Sequence, residues 1–467
     1  MKKIYLAVTA LMVSILLSTS CKMETTLYNQ SDASKGAQTV EDLEVKLNGA
    51  LKEFAGYRFM GRNAVALADM AGDIAIASTA KGHFVSINTW TFIDTDAILN
   101  EIYTSGYVVI HNCTLGIIDA EAMYAAEKDE AQKEKIGTRL SQFYALKAMT
   151  YFYLANIYAK AYGEDHLNEL GLVLVPNDAV IAPKVELKRA TVKATWDEIL
   201  NLLEKAKSYP NTETSVFYPN ATNIAAFEAR VHLYMHNYDK ALQMAEEVFA
   251  KGVRPIEKEE EYMAQWRTVA PSPEDIFTLP KSDNDNLSAY SLNTLYGSYN
   301  AKLTPFVVGL FAETDYRAKL ILTEAPQGIV VPHPAKFDGT ESAQAVSNIP
   351  IIRTSDLYLM AAEAAAEKGD VAKATEYLTP VAMRNSAASI PNSKDELLKF
   401  IAEERVRELF TEGHRFYDLR RTQATATING VEGYKPYTFV FPIPQSEINS
   451  GFMKQQNEDW SANMPKK

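Results

Sequence analysis

The feature that most constrains this chain is a pair of segments with small residues at one shared spacing. Ala229 precedes Ala241 by twelve residues across Asn237-Tyr238-Asp239, and Ala362 precedes Ala374 by the same twelve across Lys368-Gly369-Asp370. Each turn sits between two stretches of helical apolar periodicity, so each segment reads as two antiparallel helices whose small residues let the backbones approach closely. The same periodicity runs through Leu43–Phe54, Ile98–Ala122, Ile136–Tyr162, Thr195–Tyr209, Asn223–His236, Tyr238–Ala250, Ser355–Lys368, Val371–Arg384 and Glu396–Phe410. A mostly α-helical protein is the expected fold class.

The hairpin pattern is that of tetratricopeptide-like helix pairs. Tyr151–Tyr162 with Trp196–Lys207 supplies another pair, split by an insert, and Glu396–Phe410 opens a fourth. The pairs are scattered and keep no fixed period, which excludes a simple solenoid. About four pairs therefore form a scaffold. Residues 252–350 differ, being rich in Pro, Ser, Asn, Asp and Tyr, with short strand-like runs at Phe306-Val307-Val308 and Ile329-Val330-Val331. The chain divides into an N-terminal helical region, 39–251, and a C-terminal region, 252–467. The latter comprises a loop-rich, partly β insert (252–350) and helical pairs with a closing segment (351–467).

The N-terminus carries a different message. Lys2 and Lys3 precede an apolar run, Ile4 to Leu17, and Ser18-Thr19-Ser20 lead into Cys21. That is the order of a secretory signal over residues 1–20. Cys21 after small residues resembles a bacterial lipobox, although Ser18 stands where Leu is usual, so Cys21 is the expected lipidation site and 21–38 a polar tether. No later stretch is long and apolar enough to span a bilayer as a helix. The only other cysteine, Cys113, lies in an apolar run and reads as a small buried hydrophobe. A net charge of −12 argues against a nucleic-acid partner, which requires a basic footprint.

Further motifs lie in the C-terminal third. Arg353 is followed by Asp356-Leu357-Tyr358-Leu359 and Ala362-Glu363-Ala364; Glu404-Arg405-Val406-Arg407-Glu408-Leu409 runs on through Glu412-Gly413-His414-Arg415 to Asp418-Leu419-Arg420-Arg421. Phe441-Pro442-Ile443-Pro444 and Gln455-Gln456-Asn457 follow, and Arg139, Ala145 to Ala155 and Ala161-Tyr162-Gly163 lie upstream. Together these segments resemble the SusD/RagB family of Bacteroidetes outer-membrane lipoproteins. Ser450-Gly451-Phe452 and Glu458-Asp459-Trp460 replace the Asn-Pro and Pro-Gly-Tyr steps usual at its C-terminal closure. The resemblance implies a SusD-like fold at the outer membrane, facing outward. It implies a lid over a SusC-like TonB-dependent transporter that captures a nutrient and closes it into the barrel, without bond-breaking; no cofactor is expected and no residue is singled out as a metal ligand.

The charged motif itself reads as architecture. Glu403 and Arg407 are i,i+4, Glu404 and Glu408 share a helix face, and Arg415 and Asp418 are i,i+3. Gly413 is placed to supply a left-handed residue after the helix, with Arg420 and Arg421 reaching back to carboxylates. No nucleophile elbow, phosphate loop or C-x-x-C pair occurs. His232 and His236 lack the adjacent Glu of a zinc helix, and Asp283-Asn284-Asp285-Asn286 lacks the glycine and distal Glu of a calcium loop.

Binding is what remains. Trp90 and Phe92 precede the helix starting near Ala97, about where the family carries an aromatic platform, and Tyr290, Tyr296 and Tyr299 punctuate a Ser/Asn-rich stretch of the insert. Asp69, Asp73 and Asn88 are the polar candidates. The opposing reading is that each of these residues packs the scaffold. By resemblance the first-choice ligand is a glycan. An oligopeptide, as in a RagAB-type importer, is the alternative, because Trp is scarce at four residues. A surface glycosidase stands third and needs two carboxylates at a defined separation. A purely structural subunit is the remaining reading.

Overall fold

The computed structural model describes residues 36–178, 185–324, 328–340 and 346–466. Cys21, the signal segment and nearly all of the tether lie outside the described residues. The principal helices are α1 (Val40–Phe54), α2 (Asn63–Met70), α3 (Val85–Asn88), α4 (Ala97–Ala126), α5 (Glu130–Tyr158), α6 (Val192–Ser208), α7 (Ala221–Tyr234), α8 (Tyr238–Phe249), α9 (Thr354–Glu367), α10 (Val371–Ala382), α11 (Lys394–Leu409) and α12 (Arg415–Arg421). Many begin at a side-chain cap that accepts from the first-turn amides: Thr39 for α1, Asp96 for α4, Asp129 for α5, Thr191 for α6, Asn220 for α7 and Asp370 for α10.

Helix α5 lies between α4 and α6, α7 packs on α8, and α9 packs on α8, α10 and α11. Ala229, Ala241, Ala362 and Ala374 are all buried, as the hairpin spacing requires. The fold is mostly α-helical with short two-stranded ladders, as expected. Helix α2 carries no amphipathic signal because all eight of its residues are buried, leaving no polar face to set a period.

In the loop-rich stretch, Ala75–Ile76 pairs antiparallel with Lys302–Leu303, and Asp275–Leu279 pairs with Ile349–Arg353. The first ladder fastens a loop of the N-terminal region to a loop of the insert. Two strand expectations are corrected here. Phe306-Val307-Val308 lies in a helical turn, Pro305–Gly309, because Thr304 accepts from the Val307 amide and Pro305 suits a first helical position. Ile329-Val330-Val331 forms no strand; pairing starts at His333–Pro334, opposite Ile321–Leu322.

The charged C-terminal motif is buried. Glu408 ion-pairs with Arg317 at 3.1 Å, Arg353 at 2.9 Å and Arg384 at 2.6 Å. Glu274 joins Arg353 at 2.7 Å and Arg384 at 2.5 Å, and Glu412 joins Arg353 at 2.8 Å and Lys336 at 2.6 Å. Glu403 meets Arg407 at 3.5 Å, and Arg421 reaches Glu363 and Asp418. Two expected contacts are corrected: Arg415 bonds Asp73 rather than Asp418, and Arg420 donates to the backbone carbonyls of Asn156 and Ala159 rather than to carboxylates. Gly413 does take a left-handed conformation, φ +79°, and an added Cβ would lie 2.8 Å from the Val65 Cα, so only glycine fits there. Cys113 is fully buried, which pushes its thiol up to about 12.

Candidate functional site

Between α1 and α2 the chain turns tightly through Gly56-Tyr57-Arg58-Phe59-Met60-Gly61-Arg62. The turn folds back on itself, so that a Cβ at Gly61 would lie 2.4 Å from the Ala55 carbonyl oxygen. It presents Tyr57, Arg58 and Arg62 at one edge of the helical scaffold. The ladder Ala75–Ile76/Lys302–Leu303 brings two further loops alongside, one carrying His83 and the other Tyr290 and Tyr299. Four non-glycine residues of these loops have left-handed backbones: Phe84 (φ +58°), Trp90 (+54°), Ser288 (+46°) and Asn300 (+58°). Such conformations persist only where the surroundings enforce them, and they gather at functional loops.

The result is a cluster of stacked rings. Tyr57 and Tyr290 stack with centroids 4.2 Å apart and an interplanar angle of 19°. His83 stacks on Tyr299 at 3.7 Å and 12°. The Arg62 guanidinium lies 5.2 Å from the Tyr57 centroid, 5.2 Å from Tyr290 and 5.6 Å from Phe84. Arg58 stands 4.9 Å from the Tyr57 ring. Arg62 Nε donates to Asn63 Oδ1 at 2.9 Å, and Asn63 Nδ2 donates to Glu101 at 2.8 Å. Burial lowers Arg62 from its usual basicity against the opposing pull of Glu101 and the tyrosines. Burial, and then Arg62, lowers the His83 imidazole. Tyr290 is 48% exposed, Tyr57, His83 and Tyr299 are half-buried, and Arg62 is buried.

Among the candidates named from sequence, Tyr290 and Tyr299 belong to this cluster. The others do not face solvent as a platform would, and each position is a correction. Trp90 and Phe92 are buried in an aromatic core with Phe416, Phe439 and Phe441, the Trp90–Phe439 centroids being 4.7 Å apart. A large flat ring buries so much apolar area that the core claims it. Tyr296 is buried and donates to Asp69 at 3.2 Å, and burial raises the Asp69 carboxyl well above its usual range. Asp73 holds Arg415 through two bonds of 2.9 Å. Asn88 splints its own loop, donating to the Met70 and Ala75 carbonyls and accepting from the Ala77 amide. Tyr57, Arg58, Arg62 and His83 were not picked out from sequence; the signal was a glycine-bracketed Tyr-Arg turn between two helical patterns.

Roomier hollows lie elsewhere. One of 540 Å³ is lined by Lys160, Glu169 and residues 454–459, and another of 350 Å³ lies between α9, α11 and α12. Neither has an aromatic residue in its lining. His232 and His236 turn to separate neighbours, Glu228 at 3.8 Å and the Tyr238 hydroxyl at 3.0 Å.

A scaffold of helix pairs with ring-bearing loops at one edge is the class of protein that this architecture defines. Residues 27–234 match a family model described as starch-binding associating with outer membrane, and residues 327–460 match the SusD family model. The chain belongs to the SusD family. It is 22% identical to the SusD-like protein P2 of Formosa agariphila, over 89% of this chain and 92% of that protein. Its fold is similar to that of a SusD superfamily protein from Bacteroides thetaiotaomicron (TM-score 0.80, 24% identity, 90% of this chain and 100% of that one). It is also similar to that of a SusD-like carbohydrate binding protein from Bacteroides vulgatus (TM-score 0.73, 21% identity, 83% of this chain and 84% of that one).

Proposed function

We propose that this protein is an outer-membrane surface lipoprotein, anchored through Cys21, that binds a nutrient glycan and delivers it as a lid to a SusC-like TonB-dependent transporter. The observation that carries the reading is the ring cluster of Tyr57, Tyr290, His83 and Tyr299, gathered from three loops at one edge of a helical scaffold. Flat rings offer a sugar apolar area with little side-chain entropy to lose, while the scaffold holds the loops in place. The Bacteroides vulgatus structure of the same fold is described as carbohydrate binding, and the matching N-terminal family model as starch-binding. The role is capture without bond-breaking: Glu101, the carboxylate beside the cluster, is engaged by Asn63 at 2.8 Å and Arg58 at 3.8 Å.

The test is calorimetric titration of the chain from Lys22 to Lys467 with a polysaccharide panel and a mixed peptide digest. Saturable binding of one glycan, with no change in its chain length, is the expected result. Binding of peptides alone would transfer the protein to the oligopeptide-importing branch of the resemblance, and shortening of a glycan would make it a glycosidase.

A further inference from the structure

Ten arginines are buried among the described residues, and nine of them find carboxylates or backbone carbonyls. Arg230, Arg317, Arg353, Arg384, Arg405, Arg407 and Arg421 are ion-paired. Arg189 and Arg420 donate to main-chain oxygens. Arg62 is the exception. It is 5% exposed, its one hydrogen bond is from Nε to the neutral Asn63 amide, and its Nη1 has no partner. Glu101, the nearest acid, is occupied by Asn63 and Arg58.

A desolvated cation without a direct ion pair is costly; Glu101, reached only through Asn63, and the aromatic faces offset part of that cost. Under the same turn a second cation is short of partners: Lys281 is buried, donates to the Ala55 carbonyl at 3.2 Å and has Asp285 at 3.9 Å. Arg58 adds an exposed positive charge at the rim. The ring cluster is thus a locally cationic spot on a chain whose net charge is −12.

We infer that the site takes an acidic glycan, its carboxylate or sulfate groups supplying the direct ion-pair partner that Arg62 lacks. The inference rests on the glycan reading above and narrows it. Tyr290 covers Arg62 and rides on a single turn, Ser288–Tyr290, whose first residue is left-handed. It is the ring that swings aside, exposing the planar fork of Arg62 to an anionic group while Tyr57 stays under the sugar face. A guanidinium recognises planar carboxylate or sulfate oxygens through paired donors, which neutral hydroxyls do not match.

The experiment compares polygalacturonate with its methyl ester, alginate, a sulfated galactan and neutral starch and galactan, by calorimetry of the unaltered protein. Binding of an acidic member should weaken about tenfold between low and high salt, as a charge-dependent contact does. Arg62→Gln should weaken it at least about tenfold, with Arg62→Lys intermediate because the charge stays and the fork is lost. Preference between polygalacturonate and the sulfated galactan tells carboxylate from sulfate. The salt series and the ester pair need no variant, so the inference stays testable if Arg62→Gln fails to fold. Equal, salt-insensitive binding of a neutral glycan overturns the acidic specificity and leaves the glycan reading standing. Binding of no glycan at all overturns both.

Discussion

Arginines surrounded by aromatic rings occur in two regions of this molecule, and the two use them differently. At the C-terminal motif, Arg353 lies 5.1 Å from the Trp266 ring and Arg384 4.4 Å from the Tyr262 ring, and both are ion-paired to Glu274 and Glu408. At the ring cluster, Arg62 has the aromatic faces without a direct carboxylate contact, Glu101 being held by Asn63 and Arg58. Charge balanced internally ties elements together, because neither partner can leave without stranding the other. Charge left over points outward, toward something the chain itself does not contain. The charged motif is therefore architecture despite its density, and the sparser cluster is the better site.

The sharpest break in that comparison is Glu408→Ala. It takes one carboxylate from each of three buried arginines at once, leaving Arg317 to Asp315 and Glu404, Arg353 to Glu274 and Glu412, and Arg384 to Glu274. Removing one partner of a buried pair typically costs about 3–5 kcal/mol. Urea denaturation should show a loss at the top of that range or no folded protein. A loss under about 1 kcal/mol would mean the network contributes little and the contrast with Arg62 is empty. Next is Trp90→Ala, expected to destabilise by about 3–5 kcal/mol as a large ring leaves a packed core. Glycan affinity of the folded fraction should stay unchanged; loss of affinity without loss of stability would restore Trp90 as a platform.

Acid should separate the two regions as well. Burial raises the Asp356 carboxyl, but Arg230, His414 and Arg405 outweigh it and hold the group at about 2. Glu408 and Asp418 are likewise held well below the usual carboxylate range, burial being outweighed by Arg384, Arg353 and Arg317 for the first and by Arg405 and Arg421 for the second. Groups depressed on folding add stability above their unfolded values, about 4, and lose it as pH falls toward their folded ones. Stability should therefore be level near neutrality and fall from about pH 4 toward about pH 2. In Asp356→Asn that acid slope should flatten, from a lower plateau. An unchanged slope would assign acid lability to other carboxylates.

How much was legible beforehand follows the same division. Helices with one polar face announced themselves: the expected Thr195–Tyr209 and Tyr238–Ala250 differ from α6 and α8 by a few residues at most. Helix α2 was silent because it is buried all round. Of the charged motif, sequence showed the pairs within one helix, such as Glu403 and Arg407. It did not show that Arg317 would thread between Asp315, Glu404 and Glu408, a contact set by tertiary packing. Residue type and its place before the helix starting near Ala97, where the resembled family carries a platform, favour Trp90, whereas its neighbours Phe439 and Phe441 lie about 350 positions away in sequence and close over it only in the fold. Tyr57 and Tyr290, also far apart in sequence, meet for the opposite outcome, a stack at the surface.

Tyr290→Ala carries the smallest expected change in stability and for that reason the most information about the site. Tyr290 is 48% exposed and carries one ring stack, a contact that contributes about 0.5–1.5 kcal/mol beyond buried area and less where water reaches it. Denaturation should shift by under about 1 kcal/mol. Glycan affinity should fall by about tenfold or more, because the ring that swings aside to admit the ligand and then closes over it against Tyr57 is gone. A variant as unstable as Trp90→Ala would make Tyr290 another scaffold ring. A variant that is stable and binds unimpaired would move the ligand off this edge of the molecule, toward the aromatic-free hollows, and remove the reason for singling out Arg62.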